Sequence, residues 1–194
     1  MPPAVAIETA FEKPRPGRNN AGGFNGSLLI GVLIGLVLVA TARSPAADST
    51  PIYNVVRVFD GDTIRVKGAD GQTTIRLLGI DAPETSKDKG TPGQPYSRKS
   101  QRYLAGLVLN RPVTLEVYGR DRYGRCLAVV YCDGRDVNRA MLLAGLAEVY
   151  RGRMPDAYDK APYLAAEEQA RRSQTGMWRQ GDAYVSPIRW KHPR

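Results

Sequence analysis

"VFDGDTIRV", Val58 to Val66, sets two carboxylates, a glycine and a threonine inside a run that otherwise reads as a strand. Asp and Gly are poor strand formers. The stretch is therefore either a turn joining two strands or a site for a cation, and each answer organises the chain differently. Upstream, "YNVVRVF" (53–59) reads as a strand. Downstream, "TIRVKGADGQTTIRLLGI" (63–80) gives two strands around the turn Ala69-Asp70-Gly71.

Working outward, "YSRKSQRYLAGLVLN" (96–110) carries Tyr103, Leu104, Leu107 and Val108 at helical spacing. "PVTLEVYG" (112–119) and "CLAVVYC" (126–132) are strands, and Asp133-Gly134 turns the second into a helix around "VNRAMLLAGLA" (137–147). "APYLAAEEQARRSQTGMW" (161–178) reads as a last helix with Gly176 after its C-terminus. Five short strands, with helices after the third and fifth, predict an α+β domain: a five-stranded OB-like β-barrel with about three helices.

The 194 residues suffice for one domain with a core and some appendages. Residues 1–25, rich in Pro, Gly and Asn, read as disordered. Gly26 to Ala42 follows, seventeen residues without a charge, near the lower limit for a bilayer span. Lys13, Arg15 and Arg18 precede it and only Arg43 follows closely, which keeps the N-terminus cytoplasmic and turns the remainder outward. Ala40-Thr41-Ala42 fits a signal-peptidase site, whereas the long leader carrying Glu8 and Glu12 favours an uncleaved signal anchor. Both place the folded part outside the cytoplasm, membrane-anchored or exported. Residues 43–52 form a linker, 53–178 the domain and 179–194 a basic tail.

Charge narrows the partners. The net charge is +9, and from residue 47 on, 24 basic residues face 17 acidic ones, leaving +7. A basic domain suits a polyanion, because neutralised phosphates release counterions. The one histidine, His192, lies near the C-terminus. That excludes a His-Cys zinc cluster, and it leaves no well-placed imidazole for a Ser-His-Asp triad. Catalysis must then rest on carboxylates, arginines, tyrosines or a hard metal ion. Cys126 and Cys132 sit on one predicted strand, roughly 20 Å apart along it, beyond the reach of a disulfide.

The chemistry-bearing residues are bunched. A helix-loop-helix calcium loop opening at Asp60 would need Asp or Asn, Gly and Glu at its fifth, sixth and twelfth positions; Ile64, Arg65 and Gly71 stand there. "RLLGIDAPET" places Arg76, Asp81 and Glu84 within nine residues, the acids where a strand runs into a loop at Pro83. A loop acid at the mouth of a sheet, beside another acid two strands away, suits a hard cation. "YGRDRYGRCLAVVY" adds Arg120, Arg122 and Arg125 around a Tyr-Gly turn. Taken singly, Asp60-Gly61 and Asp81 read as turn formers, and Arg76 and Arg125 as exposed strand charges.

Together, "FDGDTIRV", "IRLLGIDAPET", "DRYGRCLAVVY" and "VNRAMLLAGLAEV" resemble, in order, the signature blocks of the staphylococcal nuclease (thermonuclease) family, over about residues 53–178. The resemblance implies an OB-fold barrel with three helices holding one Ca²⁺. Asp62 and Asp81 match its carboxylate ligands and the carbonyl of Ala82 a main-chain ligand. Glu84 matches the acid that orients or deprotonates the attacking water, and Arg76 and Arg125 the two arginines that clamp the reacting phosphate. Asp60 and Thr63 match supporting positions. Tyr123, beside Arg122, matches a tyrosine of the nucleotide pocket. A second pocket tyrosine aligns at or beside Arg151, with Tyr150 one position away.

The function so implied is calcium-dependent hydrolysis of DNA and RNA with little sequence preference, giving 3′-phosphate products. The alternative is a non-catalytic OB module that binds nucleic acid at the membrane. A third reading, an envelope scaffold whose barrel binds protein, leaves the acid-arginine set without a purpose.

Overall fold

The computed structural model describes residues 50–86 and 90–193. Residues 1–25, the apolar run 26–42 and most of the linker lie outside them, and with them the expected anchor. Among the described residues, no helix is long and apolar enough to cross a membrane.

Alternation builds the sheet. In β1 (Ile52–Val58), β2 (Thr63–Gly68) and β3 (Gly71–Leu77), Val55, Ile64, Val66, Ile75 and Leu77 point inward and are buried. Antiparallel pairing sets Val55 against Val66 and Val58 against Ile64, and Thr63 against Arg76. β5 (Pro112–Arg120) returns along β1, and β6 (Cys126–Cys132) along β5. The circle closes where β6 runs parallel to β3, with Ile75, Arg76 and Leu77 opposite Cys126, Leu127 and Ala128. The result is a closed five-stranded barrel with helices, consistent with an OB fold; closure leaves no open edge among these strands. Both cysteines are buried free thiols.

Three short strands complete the frame. β4 (Ile80–Asp81) pairs with β8 (Glu148–Val149), and β7 (Arg135–Asp136) folds back antiparallel on the end of β6. Helix α1 (Ser97–Val108) buries Leu104 and Val108 in the same core that takes Val137, Met141 and Leu142 of α2 (Val137–Leu143). Asp136 caps α2 by accepting from the Arg139 amide at 2.8 Å. Buried Asn138 donates to the carbonyls of Leu78 and Ala128 and accepts from the Val130 amide, tying α2 to the end of β3 and to β6.

α3 (Ala161–Arg172) ends earlier than the predicted helix. Gly176, at φ +62°, opens a separate 3₁₀ stretch (Gly176–Ala183). A Cβ there would lie 2.1 Å from the Gly145 carbonyl oxygen, so backbone meets backbone at that corner. The basic tail then forms a short helix, α4 (Pro187–Lys191).

Candidate active site

The opening stretch is a turn, and its two aspartates point different ways. β1 ends at Val58 and β2 begins at Thr63, and the Phe59 amide donates to the Thr63 carbonyl at 2.9 Å to close the turn. Asp60 shapes it: its Oδ1 accepts from the Asp62 amide at 3.0 Å. Asp62 instead turns inward. Only 4% exposed, its carboxylate accepts from the Thr63 hydroxyl at 2.9 Å and from the Ala82 amide at 2.8 Å. Gly61 is required by proximity. A Cβ at that position would fall 1.9 Å from Ser100 Oγ and 2.7 Å from the Ala82 Cβ, so only glycine lets the turn sit against α1 and the Ala82 loop.

The second acid arrives from β4. Asp81 is 2% exposed. Arg76, paired with Thr63 across the β2–β3 ladder, spans the two carboxylates, Nη1 to Asp62 Oδ1 and Nη2 to Asp81 Oδ1 at 2.9 Å. Two charges removed from water are tolerable because the guanidinium lies between them. Asp60 sits at the edge of the same field. Burial pushes its pKa up, against the opposing pull of Arg76, its bonds with Thr63 and the more distant charge of Arg125.

Glu84 follows three residues after Asp81, half-buried, in a loop held by Gln94. The Glu84 amide donates to Gln94 Oε1 at 3.1 Å, and the Gln94 amide donates to the Glu84 carbonyl at 2.9 Å. Sequence reasoning passed over this buried glutamine, which sits in a Pro/Gly-rich stretch with the composition of an ordinary loop.

It also missed Lys191. The ammonium of this tail residue lies 2.9 Å from Asp81 Oδ1 and 2.8 Å from Glu84 Oε1. Burial would lower the pKa of such a group, but the Asp81 and Glu84 carboxylates outweigh it and hold it above the usual lysine value.

The remaining predicted residues occupy two other places. Arg125 stands at the base of the β5–β6 hairpin. Asp121 accepts from its Nε at 2.7 Å and from the amides of Tyr123 and Arg125 at 2.9 and 3.0 Å. Burial pushes the Asp121 carboxyl up, and these donors more than reverse it, leaving it below the usual carboxylate range. Tyr123, 69% exposed at the hairpin tip, carries the Arg122 and Arg125 guanidiniums over its ring at 4.9 and 5.6 Å. Tyr150 lies over Gly152, its hydroxyl where a Cβ would fall. Arg151 pairs with the buried Glu167, which also accepts from the Val149 amide.

The cluster therefore joins Asp62, Asp81, Ala82, Arg76, Glu84 and Lys191 directly, with Arg125 close enough to act on Asp60 through space. Its two buried carboxylates are oxygen donors of the kind a hard divalent cation takes, and an ammonium already rests on one of them and on Glu84. Among the described residues, no group of three or more His, Cys, Asp or Glu side chains is set to hold a metal alone.

Comparison with known proteins converges on one family. The model of the family described as "Staphylococcal nuclease homologue" matches residues 74–180. An uncharacterized endonuclease of Escherichia coli O157:H7 is 41% identical over 140 residues, covering 71% of this chain and 83% of its own. One of Haemophilus influenzae is 34% identical over 163 residues, covering 82% and 84%. A probable endonuclease of Phaeosphaeria nodorum is 41% identical over 150 residues, covering 73% of this chain and 50% of that protein.

Proposed function

The chain belongs to the staphylococcal nuclease family, and from that premise we propose that it is a metal-dependent phosphodiesterase, with Ca²⁺ as its cation. It hydrolyses DNA and RNA with little sequence preference and leaves 3′-phosphate ends. The observation that carries this reading is Arg76 spanning the buried pair Asp62 and Asp81, with Glu84 in the adjoining loop.

Asp62, Asp81 and the Ala82 carbonyl would hold the cation, which as a Lewis acid supplies charge neutralisation at the phosphoryl oxygens. The chain's own residues supply the rest. Arg76, on the barrel wall, offers a planar fork of donors to the equatorial phosphate oxygens, where charge grows as the nucleophile attacks. Arg125 reaches the phosphate from the hairpin side, its guanidinium oriented by Asp121. Glu84 accepts the proton of the attacking water, a role that its place in a braced loop supports. Tyr123, with Arg122 stacked on it, offers an exposed ring against which a base can rest, and the partly exposed Tyr150 offers a further contact. The net positive charge of the domain draws polyanions to this surface.

The uncharged run 26–42, with Lys13, Arg15 and Arg18 before it, supports placing the domain outside the cytoplasm, tethered or exported; we propose a catalytic domain that acts as a monomer. The domain boundaries 53–178, with a basic tail after them, belong to the same reading.

The test follows cleavage of denatured DNA by the chain with Ca²⁺ and with a chelator, beside Glu84→Gln. The expected result is cutting that needs the cation and falls by orders of magnitude in the variant. Tight DNA binding without cleavage under any divalent ion would replace this reading with the non-catalytic OB module.

A further inference from the structure

The tail is fastened at several points before it reaches the acids. The Tyr184 ring packs on Trp178 at 4.6 Å, and its hydroxyl donates to the buried Glu148, which faces Asp81 across the β4–β8 pair. The Val185 carbonyl accepts from Gln94 Nε2 at 2.7 Å, so the glutamine that braces the Glu84 loop also grips the tail. Ser186 caps α4 through its hydroxyl, Pro187 is buried, and α4 then delivers Lys191 to Asp81 and Glu84.

From this geometry we infer that residues Tyr184 to Lys191 form a built-in strap whose Lys191 ammonium ties up Asp81, a proposed cation ligand, together with Glu84, the proposed base, so that metal binding must expel it. The inference rests on the reading of Asp81 as a metal ligand and Glu84 as the base. A calcium ion would sit 2.3–2.6 Å from its oxygens, and an ammonium 2.9 Å from Asp81 Oδ1 takes up room and charge that such an ion would need. That oxygen already carries Arg76 Nη2 as well, so a divalent ion added there meets two positive charges in a buried site, and Lys191, on the tail, is the one placed to leave. Because the strap is tethered, its ammonium competes at high effective concentration. A strap docked about nine-tenths of the time weakens the apparent metal affinity about tenfold.

The same geometry couples metal to substrate. Once released, Lys191 and the neighbouring Arg189 are free cations that a phosphate backbone can take up. A polyanion therefore stabilises the open strap and tightens metal binding, and by reciprocity the metal tightens polyanion binding. The chain would then stay closed in a dilute cation and open where cation and nucleic acid meet.

The experiment titrates the full chain with Ca²⁺ by calorimetry, for the native sequence, Lys191→Met and Lys191→Arg. Trp190 emission, taken as the difference from Trp190→Phe, follows the strap. Lys191→Met keeps the length and removes the charge, and the expected result is Ca²⁺ binding about tenfold tighter than native. Lys191→Arg stays near native. Ca²⁺ shifts the Trp190 signal in the native chain, and a single-stranded DNA oligomer tightens Ca²⁺ binding more in the native chain than in Lys191→Met. Equal or weaker Ca²⁺ binding by Lys191→Met, or a Trp190 signal that Ca²⁺ leaves unmoved, overturns the strap while cation-dependent cleavage of DNA still stands. No Ca²⁺ binding by any form, together with no cleavage, overturns the metal-dependent reading and the strap together.

Discussion

Glu84 and Gln94 hold each other through two hydrogen bonds, the Glu84 amide to the Gln94 side chain at 3.1 Å and the Gln94 amide to the Glu84 carbonyl at 2.9 Å. The loop carrying the proposed base is thus closed on itself by a buried side chain, and its position is fixed relative to Asp81. Replacing Gln94 with Ala leaves the Glu84 amide without that acceptor and releases the Val185 carbonyl. We expect a stability loss of about 1–3 kcal/mol in urea unfolding. A base displaced by an ångström should cost turnover on the order of 10²-fold in DNA hydrolysis. A fully stable, fully active variant would show that the brace is dispensable.

Arg76 and Arg125 test the clamp. Lysine keeps the charge and loses the planar pair of donors. Arg76→Lys and Arg125→Lys should each lower turnover roughly 10²- to 10³-fold, comparable to removing a transition-state donor, while melting cooperatively like the native chain. Near-native rates in both would sink the two-arginine mechanism. The two differ in one respect: Arg76 also holds apart the buried Asp62 and Asp81, so its replacement should change Ca²⁺ affinity, whereas Arg125→Lys should leave that affinity alone.

Gly61→Ala is a one-carbon change with a steric consequence. The new Cβ has no room against Ser100 Oγ and the Ala82 Cβ. The Asp62 turn must move away from the Ala82 loop, stretching the 2.8 Å bond from the Ala82 amide to Asp62. We expect about 1–3 kcal/mol of destabilisation from overpacking and a Ca²⁺ affinity lower by about tenfold or more, read by calorimetry. Unchanged affinity would mean that the two acids need not be held at this spacing.

Alkaline pH should unfold the domain through its buried phenols. Burial first, and then the hydrogen bond to the Asp136 carboxylate, push the Tyr163 pKa far above its ordinary value of 10.0. Tyr184 is raised in the same way by burial and by Glu148. A group whose pKa is higher in the folded state stabilises fully below its unfolded pKa, and that stability is lost as pH rises beyond it. Thermal midpoints should therefore fall as pH passes about 10, and Tyr163→Phe should flatten that fall. An unchanged slope in the variant would assign the alkaline loss elsewhere.

How far the sequence could be read depends on the range of the contact concerned. The strands that carry Val55, Ile64, Val66 and Ile75 were legible as strands, and the turns at Asp70-Gly71 and Asp133-Gly134 were visible because glycine there answers a local backbone demand; which side chains face the core is seen only in the fold. The four ordered blocks brought Asp62, Arg76, Asp81 and Glu84 into one hypothesis, and the fold sets these residues side by side. The parallel seam between β3 and β6 has no local signal, since nothing in either strand's pattern names its partner. Asn138 looks like one more polar helix residue until its three bonds to β6 and the end of β3 are seen. Lys191 was hidden for a similar reason. A lysine in a basic tail reads as solvated charge, and only the packing of Tyr184, Val185 and Pro187 carries it to an acid 110 positions away. Tyr150 was singled out by alignment alone, and its ring lies over Gly152.

The seam between β3 and β6 has a consequence for when activity arises. Arg76 lies on β3, opposite Leu127, and Arg125 directly precedes β6. The two guanidiniums come into register only when those strands join, and that is the contact that seals the barrel. Without it, the acids would lie on an unsealed sheet and Arg125 on an undocked hairpin. A chain in which that seam is open lacks the paired guanidiniums, so the proposed cleavage depends on a sealed barrel and is lost with any change that parts these two strands.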